Sequence, residues 1–505
     1  MFTIYLVQIA TVASIVYLVL GPLVSYFRDH KGFRRFPNLS KFAGVTNIPY
    51  MVATFYGNRY EKVNHAHIVK KQPIVRVGPN HISFGRVEAI KDIYGHQTKT
   101  TKSDFYKVLA GEYRHLADVQ DRSEHARKRK VLSAAFAHRN VIHWEHILNE
   151  KLCHLIKHCD AFSEHEEPMD YRYWTNLLTI DVISSIALDS QLNLVKKGSD
   201  LVVAERVDGS LYNANFIHSL HEGLRTQVVY SWSFKWYKVI SKLTAWQSGW
   251  KNLQAFNDIV NHLCRQRLAR DQAGDKADDF VHVLLYDRNG RSLNLPLGEI
   301  TAECSIMLNA GSETTAVAMT NVIYLLLKNP VCMQKLRKEL EDALGEADGV
   351  PTYDEIKLLP YLRACLDESL RMYPPTALGL PRDTPSEGAT IMGEWIPGNT
   401  TVSIAAYTAH RDPSVWKDAD VYQPERWLEE SGKELQRYFI PFSAGARGCI
   451  GRNISYLEQY LCLASILHRY DIAFAEEGFE MKRHEAVVTW PGPMPLKLRR
   501  RHIMS

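Results

Sequence analysis

One cysteine lies in a glycine-rich segment whose composition and spacing suit metal binding. The segment is PFSAGARGCIGRN, residues 441–453. The residues around Cys449 that matter here are Phe442, Gly445, Arg447 and Gly451. A cysteine binds metal as a thiolate, so its surroundings must lower the pKa of the thiol. Apolar spacing downstream predicts a helix, whose positive N-terminal end would favour the thiolate. The competing interpretation is a buried structural cysteine in a glycine-rich turn.

The segment resembles the haem-binding signature of the cytochrome P450 family, F-x-x-G-x-R-x-C-x-G, at every fixed position. The resemblance implies that Cys449 is the axial ligand of the iron of haem b (iron protoporphyrin IX), with Phe442 and Arg447 beside the cofactor. The glycines would let the backbone approach the porphyrin and direct N–H groups at the sulfur. A thiolate ligand pushes electron density onto the iron, which favours cleavage of the O–O bond.

A second set of residues matches the family at similar distances. Glu368 and Arg371 form an E-x-x-R pair, which taken alone would be an ordinary ion pair on a helix surface. The segment PERW follows at residues 424–427. The resemblance then implies a buried network of Glu368, Arg371 and Arg426 that fixes the loop before Cys449. Its implied role is structural, because a buried charge cluster is costly to break.

Basic residues stand where the family binds the two propionate groups of haem. His125 and Arg129 are spaced i, i+4, which puts both on one face of a predicted helix. Arg382 and Arg447 occupy the family's other propionate positions. The remaining basic residues of the predicted helix form either a solvated face or a docking surface for an acidic reductase. They are Arg122, Arg127, Lys128 and Lys130.

Between Pro296 and Pro330 the sequence predicts one long, mostly apolar helix. Within it AGSETT, residues 310–315, resembles the family's motif A/G-G-x-D/E-T-T/S. A threonine hydroxyl can bond back to a carbonyl and bend a helix, which opens space for oxygen and water. The alternative is a polar patch on a buried helix, which would be costly without a purpose. We therefore expect Thr314 to relay protons and Glu313 to feed them from solvent.

The wider pattern predicts the fold class. Residues 71–85 and 391–404 read as short strands bounded by turn residues, while most of the remaining chain has helical periodicity. We predict a mainly α-helical protein with small β-sheets, the P450 fold, preceded by one transmembrane helix. The expected parts are a transmembrane anchor at 1–27, a proline-containing linker at 28–60 and a single haem-binding catalytic domain at 61–505.

The N-terminus predicts the membrane anchor. Phe2 to Phe27 contains no charged residue, and as a helix it would reach roughly 40 Å, more than the ~30 Å hydrocarbon core of a bilayer. Lys31, Arg34 and Arg35 follow, which by the positive-inside rule keeps the downstream chain in the cytosol. A cleaved signal peptide fits less well, because no basic residue precedes the apolar run. We expect a single-pass protein of the endoplasmic reticulum membrane.

The resemblance implies a monooxygenase that inserts one atom of O₂ into an organic substrate, aromatic or otherwise hydrophobic. The chain has no glycine-rich dinucleotide fingerprint after a strand, so electrons from NADPH must arrive through a separate protein. The family implies NADPH–cytochrome P450 reductase as that partner, with cytochrome b5 as an additional donor. A net charge of +5 is too small to suggest nucleic-acid binding.

Several stretches, 101–111 among them, look most like fungal benzoate para-hydroxylases, which implies an aromatic substrate. A place in secondary metabolism is equally compatible. Residues expected to face the substrate are Tyr106, Ile306, Ala310, Ala377 and Leu378.

Two other functions are compatible with haem binding through a cysteine. A haem-thiolate isomerase or dehydratase would rearrange a peroxide without a reductase, but it has no need for the pair Glu313–Thr314. A non-catalytic haem sensor would have no use for an acid–alcohol pair in an apolar pocket. Dependence on NADPH separates the first alternative from a monooxygenase.

Overall fold

The computed structural model describes residue 5, residue 16 and residues 20–501, apart from 233–235 and 347–348. Within these residues the chain is mainly α-helical with five small β-sheets, which confirms the predicted fold class. Most of the predicted anchor at residues 1–27 lies outside the described residues.

The helices, in chain order, are α1 (Ile48–Phe55), α2 (Arg59–Asn64), α3 (Ala89–Tyr94), α4 (Asp104–Leu109), α5 (Arg122–Ser133), α6 (His138–His143), α7 (Glu145–His165), α8 (Tyr171–Leu188), α9 (Leu194–Lys197), α10 (Phe216–Ser231), α11 (Tyr237–Leu243), α12 (Ser248–Gln272), α13 (Phe280–Leu285), α14 (Leu297–Lys328), α15 (Pro330–Leu344), α16 (Tyr353–Ile356), α17 (Pro360–Met372), α18 (Ala406–Ala409), α19 (Gly432–Leu435) and α20 (Arg452–Arg469).

The strands are β1 (Ile74–Gly78), β2 (His81–Phe84), β3 (Thr101–Lys102), β4 (Met169–Asp170), β5 (Leu201–Glu205), β6 (Leu211–Asn215), β7 (Arg382–Asp383), β8 (Ala389–Ile391), β9 (Glu394–Ile396), β10 (Thr401–Ile404), β11 (Tyr470–Phe474), β12 (Arg483–Glu485), β13 (Thr489–Pro491) and β14 (Pro495–Arg500). The largest sheet has the order β1-β2-β10-β7-β3, with β10 parallel to β2 and the other pairs antiparallel. A three-stranded sheet has the order β11-β14-β4, and three two-stranded sheets pair β5 with β6, β8 with β9 and β12 with β13.

Both strand-forming regions expected from the sequence contain strands. The β1–β2 pair lies within residues 71–85, and β9 and β10 lie within 391–404. The hairpin of β5 and β6 differs from the expectation, because this part of the chain is predicted to be helical. It turns through Asp208-Gly209, a dipeptide typical of tight turns, with Gly209 at φ 84°.

Four helices form the centre of the molecule, where α14 packs against α8, α17 and α20. Every residue of α8 except Tyr173 is buried, as expected for a helix that is surrounded by others. The long helix α14 ends at Lys328, and Asn329 leaves the helical conformation because the residue before a proline, here Pro330, is disfavoured in it. These helices fix the frame on which the site is built.

A buried ion pair joins the beginning of the folded chain to its end. The guanidinium of Arg59 on α2 donates to the carboxylate of Glu485 on β12, and both side chains are fully buried. Arg59 also donates to the carbonyl of Ala486 at 2.8 Å, and the backbone N–H of Tyr60 donates to Glu485 at 3.2 Å. The two segments are thereby held against each other in the core.

No single helix among the described residues is both long enough and apolar enough to cross a membrane. The bent pair α14 and α15 passes that test by length and composition alone, with an angle of 112° between the two helices. Residues 28–60 include α1 and lie against the body through buried side chains such as Phe33 and Tyr50.

Candidate active site

A cavity of about 380 Å³ lies between the middle of α14 and the loop that carries Cys449. Its walls are mostly apolar. The apolar lining residues include Ile183, Ile306, Met307, Ala310, Leu378 and Val487. The thiol of Cys449 is open to this cavity although it lies deep inside the protein. The cavity therefore joins a potential metal ligand to a hydrophobic chamber.

The loop before Cys449 has a conformation that requires glycine. Gly445 adopts φ 65°, and a side-chain carbon there would overlap the carbonyl oxygen of Tyr94. The N–H of Gly448 donates to the Gly445 carbonyl at 3.0 Å, and the N–H of Cys449 donates to the Phe442 carbonyl at 2.9 Å. These bonds turn the cysteine side chain toward the cavity.

Burial raises the pKa of the Cys449 thiol, and the N–H of Gly451 with the nearby Arg129 and Arg452 opposes that increase. Helix α20 begins at Arg452, so its N-terminal N–H groups lie beside the sulfur, as the sequence predicts. A metal ion bound to the sulfur would complete the conversion to thiolate. The loop thus suits a metal-bound cysteine better than a buried structural thiol.

Cationic side chains gather at one side of the cavity. Arg129 donates to the Gly448 carbonyl at 2.7 Å, and Arg447 donates to the Val119 carbonyl at the same distance. Arg382 donates to the hydroxyl of Tyr106 at 3.1 Å. All the predicted propionate residues, namely His125, Arg129, Arg382 and Arg447, line the cavity, as does Phe442.

Lys102 joins this cationic group, although no sequence motif points to it. Its ammonium donates to the Ala117 carbonyl and lies 4.6 Å from the centre of the Tyr106 ring. Burial and the charges of Arg382 and Arg447 lower the pKa of Lys102 well below its usual value. A concentration of buried cations calls for acidic groups of a ligand, which the two propionates of haem would supply.

His125 faces the cavity among the cationic side chains. Burial, followed by the charges of Arg447 and Lys102, lowers its pKa to about 4. The acidic propionates of haem would act in the opposite direction and raise this pKa. Asp121 holds the start of its helix, accepting a hydrogen bond from the N–H of Glu124 at 2.8 Å.

The predicted charge network is present and buried beneath the site. One carboxylate oxygen of Glu368 accepts from Arg371 at 2.9 Å and from Arg426 at 3.0 Å. The other accepts from the Nε of Arg371 and from the indole N–H of Trp427, both at 2.9 Å. The backbone N–H of Gln423 also donates to Glu368, so α17 is tied to the segment that precedes the cysteine loop.

Helix α14 presents the hydroxyl of Thr314 to the cavity, and its carboxylate there is that of Glu303 and not of Glu313. Thr314 lines it and donates to the Ala310 carbonyl at 2.8 Å, the back-bonding expected from the sequence. The carboxylate of Glu313 is fully buried and points instead toward Arg172 on α8 and His221 on α10. Burial alone would raise the pKa of Glu313, but the charges of His221 and Arg172 lower it to about 2. The sequence contains no local signal for either partner.

A family profile described as "Cytochrome P450" matches residues 44–498 of the chain. The chain belongs to the cytochrome P450 family. Among curated proteins, it is 28% identical to the benzoate 4-monooxygenase bphA of Aspergillus niger, over 96% of this chain and 97% of that protein. It is 30% identical to the cytochrome P450 monooxygenase atr2 of Stereocaulon alpinum, over 91% of this chain and 89% of the other.

A solved cytochrome P450, CYP102L1, has the same fold, with a TM-score of 0.74 at 22% identity, covering 92% of this chain and 99% of the other. The family profile and the relatives named as monooxygenases show that the present chain is a haem-thiolate monooxygenase, the function implied by the sequence, rather than the isomerase or the sensor. Haem bound through Cys449 would activate O₂, and the residues that fit its propionates are Lys102, Arg129, Arg382 and Arg447.

One residue expected to face the substrate needs correction. Ala377 is buried beside the cavity and does not line it, whereas Tyr106, Ile306, Ala310 and Leu378 do. The hydroxyl of Tyr106 also accepts a hydrogen bond from Arg382, so it lies among the cationic side chains.

Only part of the basic face of α5 is exposed to solvent. Lys128 is buried and donates to Glu299 at 2.6 Å and Glu303 at 3.0 Å, both on α14. Arg127 is paired with Glu124 and Glu299, while Lys130 is exposed. Lys128 therefore ties two helices together and cannot dock a partner.

Proposed function

We propose that this monooxygenase hydroxylates an aromatic or similarly hydrophobic substrate with electrons that NADPH supplies through a separate reductase. The observation that carries the proposal is the apolar chamber between α14 and Cys449, whose wall includes Ile306, Ala310 and Leu378. A largely apolar pocket with few polar groups binds ligands mainly by burying their carbon surface. The benzoate 4-monooxygenase among the relatives supports an aromatic ring.

A substrate screen tests the proposed class of substrate. Purified protein is titrated with benzoic acid, methyl benzoate, a terpenoid and a fatty acid, and the shift of the haem absorption band is recorded. The matched pair benzoic acid and methyl benzoate separates recognition of the ring from recognition of the carboxylate. We expect the aromatic compounds to give the larger shift, and a response to the fatty acid alone would contradict the proposal.

We also propose that Thr314 passes protons into the cavity and that Glu313, whose lowered pKa keeps it ionised at rest, feeds them from solvent. The hydroxyl of Thr314 lines the cavity, and Glu313 is its neighbour on α14. A positioned proton donor contributes roughly 10²–10⁴-fold to a reaction that it assists.

Replacing Thr314 with alanine should therefore divert electrons from product to hydrogen peroxide. We expect the ratio of product to oxidised NADPH to fall by at least about tenfold. Haem content and the substrate-induced spectral shift should stay unchanged, because the hydroxyl of Thr314 bonds back to its own helix. Thr314→Ser, which keeps the hydroxyl, is the matched control, and full coupling in Thr314→Ala would remove the relay role.

Electron supply is proposed to come from the membrane-bound NADPH–cytochrome P450 reductase, with cytochrome b5 as a second donor. Helix α5 contacts the cysteine loop, since its Arg129 donates to the Gly448 carbonyl, and Lys130 on the same helix is exposed. Exposed charges act mainly on association rate and are screened by salt. The surface of this protein that docks the reductase would therefore include Lys130 and not the buried Lys128.

The proposed site of action is the endoplasmic reticulum membrane, with a single N-terminal anchor and the catalytic domain in the cytosol. An exposed apolar patch supports contact with lipid beyond the anchor. Its members lie on or near α1 and α11 and are Ile48, Val52, Phe55, Tyr56, Trp236, Val239, Leu243 and Trp246. The ring of Tyr50 on α1 packs against that of Trp232, which directly follows α10, with ring centres 4.8 Å apart. Tryptophan and tyrosine in an apolar surface are typical of membrane interfaces.

Removing residues 1–28 should release much of the protein from membranes and leave its haem spectrum intact, because the residues that line the cavity begin with Tyr94. We expect the shortened protein to retain weak binding to phosphatidylcholine vesicles, measured by co-sedimentation. Leu243→Asp with Trp246→Asp should abolish that residual binding. Val207→Asp changes an equally exposed apolar residue in the turn of the β5–β6 hairpin and should have no effect. Loss of haem on truncation would contradict a separable anchor.

A further inference from the structure

The carboxylate of Glu313 is enclosed by two basic side chains of different chemical kinds. Arg172 donates to its Oε2 at 3.1 Å, and the Nε2 of His221 lies 2.6 Å from its Oε1. The side chain of Arg172 is buried at 6% exposure, whereas that of His221 is 21% exposed. A guanidinium does not release its proton in proteins, but an imidazole does. Of these two neighbours, His221 is the one that can take a proton from solvent and give it to Glu313.

The ring of His221 is held in place from behind. It stacks on the indole of Trp490, with ring centres 4.7 Å apart and planes 26° apart. Trp490 in turn stacks on His484 at 6.4 Å. At 2.6 Å, Nε2 and Oε1 are close enough for a proton to pass between them, and neither buried atom has another hydrogen-bond partner.

The charged neighbours of this pair come from several elements. Arg172 faces Glu313 from α8, and His484 lies behind Trp490 on the β12–β13 hairpin, where burial lowers its pKa. On α10 itself, the side chains of Glu222 and Arg225 lie 3.7 Å apart and so compensate each other. None of these groups combines exposure to solvent with contact to Glu313, as His221 does.

We propose that His221 is the proton-entry residue of the relay, an inference that rests on the proposed role of Thr314. The N–H bond of the imidazolium breaks as an O–H bond forms on Oε1 of Glu313, and the total charge is unchanged. Both groups become neutral, which weakens the attraction between Glu313 and Arg172. The protonated carboxyl is then free to turn toward Thr314 and the cavity. The neutral imidazole must then turn its bare nitrogen to solvent, because Nε2 is buried where it faces Oε1, and there it takes its next proton from a hydronium ion or a buffer acid.

The test uses full-length enzyme reconstituted with purified reductase, with benzoic acid as the probe. O₂ consumed, NADPH oxidised and hydrogen peroxide released are measured together between about pH 5 and 8, the range in which histidines titrate. His221→Gln keeps a polar side chain but cannot carry a proton. His221→Lys keeps a cation beside Glu313 but holds its proton too tightly to donate it in this range. His218→Gln, on the exposed face of the same helix, is the matched control.

In the wild type, the peroxide fraction should rise with pH, because proton entry from solvent slows as the proton concentration falls. Both His221 variants should lose this pH dependence and release peroxide at every pH, with proton-dependent turnover reduced about tenfold. The His218 variant should match the wild type. Wild-type behaviour of His221→Lys would overturn the proposal, because it would reduce the role of His221 to ion pairing.

The outcome of Thr314→Ala separates this inference from the relay itself. If Thr314→Ala is fully coupled, the relay role fails. If it releases peroxide while both His221 variants keep the wild-type pH profile, the relay stands and His221 is not its entry. His221→Lys decides between proton entry and ion pairing, because His221→Gln removes both, and His221→Arg, which also keeps the charge, replaces it if it loses haem.

Discussion

Replacing Cys449 with alanine should abolish the red-shifted absorption band that the reduced protein forms with carbon monoxide. The thiol opens directly into the cavity, and no other described cysteine lines it. Because the band depends on a thiolate ligand, no nearby side chain can restore it. We expect complete loss of the band and of monooxygenase activity, measured by difference spectroscopy on protein with matched concentration.

The matched control is Cys153→Ala. Cys153 is an exposed cysteine on α7, away from the cavity, so its replacement should leave the band unchanged. Circular dichroism of the Cys449 variant should show the helical content of the wild type, since the backbone N–H of residue 449 keeps its bond to Phe442. An unchanged carbonyl band in Cys449→Ala would mean that another residue binds the iron.

Replacing Glu368 with alanine should prevent the protein from folding into a haem-binding form. The change would leave the guanidinium groups of Arg371 and Arg426 buried without their carboxylate. Removing one partner of a buried charge pair costs about 3–5 kcal/mol. That is a large share of the roughly 5–15 kcal/mol by which most domains are stable. We expect little soluble protein with bound haem, measured by haem content per mole of protein and by urea unfolding.

An exposed ion pair provides the comparison for Glu368. Asp354 pairs with Lys357 at 2.6 Å on the surface of α16, and Asp354→Ala should leave haem content and the urea midpoint unchanged. Glu368→Gln keeps acceptor atoms but removes the charge, so we expect an intermediate loss. Wild-type haem content in Glu368→Ala would mean that the network is dispensable for the cysteine loop.

The parts of the site that sequence can predict are those encoded over short distances. The loop before Cys449 and the Glu368–Arg371 pair depend on spacings of a few residues, so their geometry follows from the chain itself. The same holds for Thr314, whose hydroxyl bonds four residues back. Local spacing is therefore sufficient to identify these positions.

The parts that sequence cannot predict depend on contacts between distant segments. Arg172 is 141 residues from Glu313, and neither it nor His221 belongs to a local pattern. The basic composition of α5 predicts a surface position for Lys128, but its two acceptors lie on α14, 171 and 175 residues further along. Whether a charged side chain is solvated or buried depends on which helix packs over it.

The buried pair of Arg59 and Glu485 has a consequence for the order in which the chain can fold. Its two members are 426 residues apart, so Glu485 leaves the ribosome long after Arg59. At the usual ~5–20 residues per second, the delay is roughly 20–90 s. During that time α2 cannot be buried, because an unpaired guanidinium in the core is strongly unfavourable. The N-terminal segment must therefore wait, close to the predicted membrane anchor, until nearly the whole chain has been synthesised.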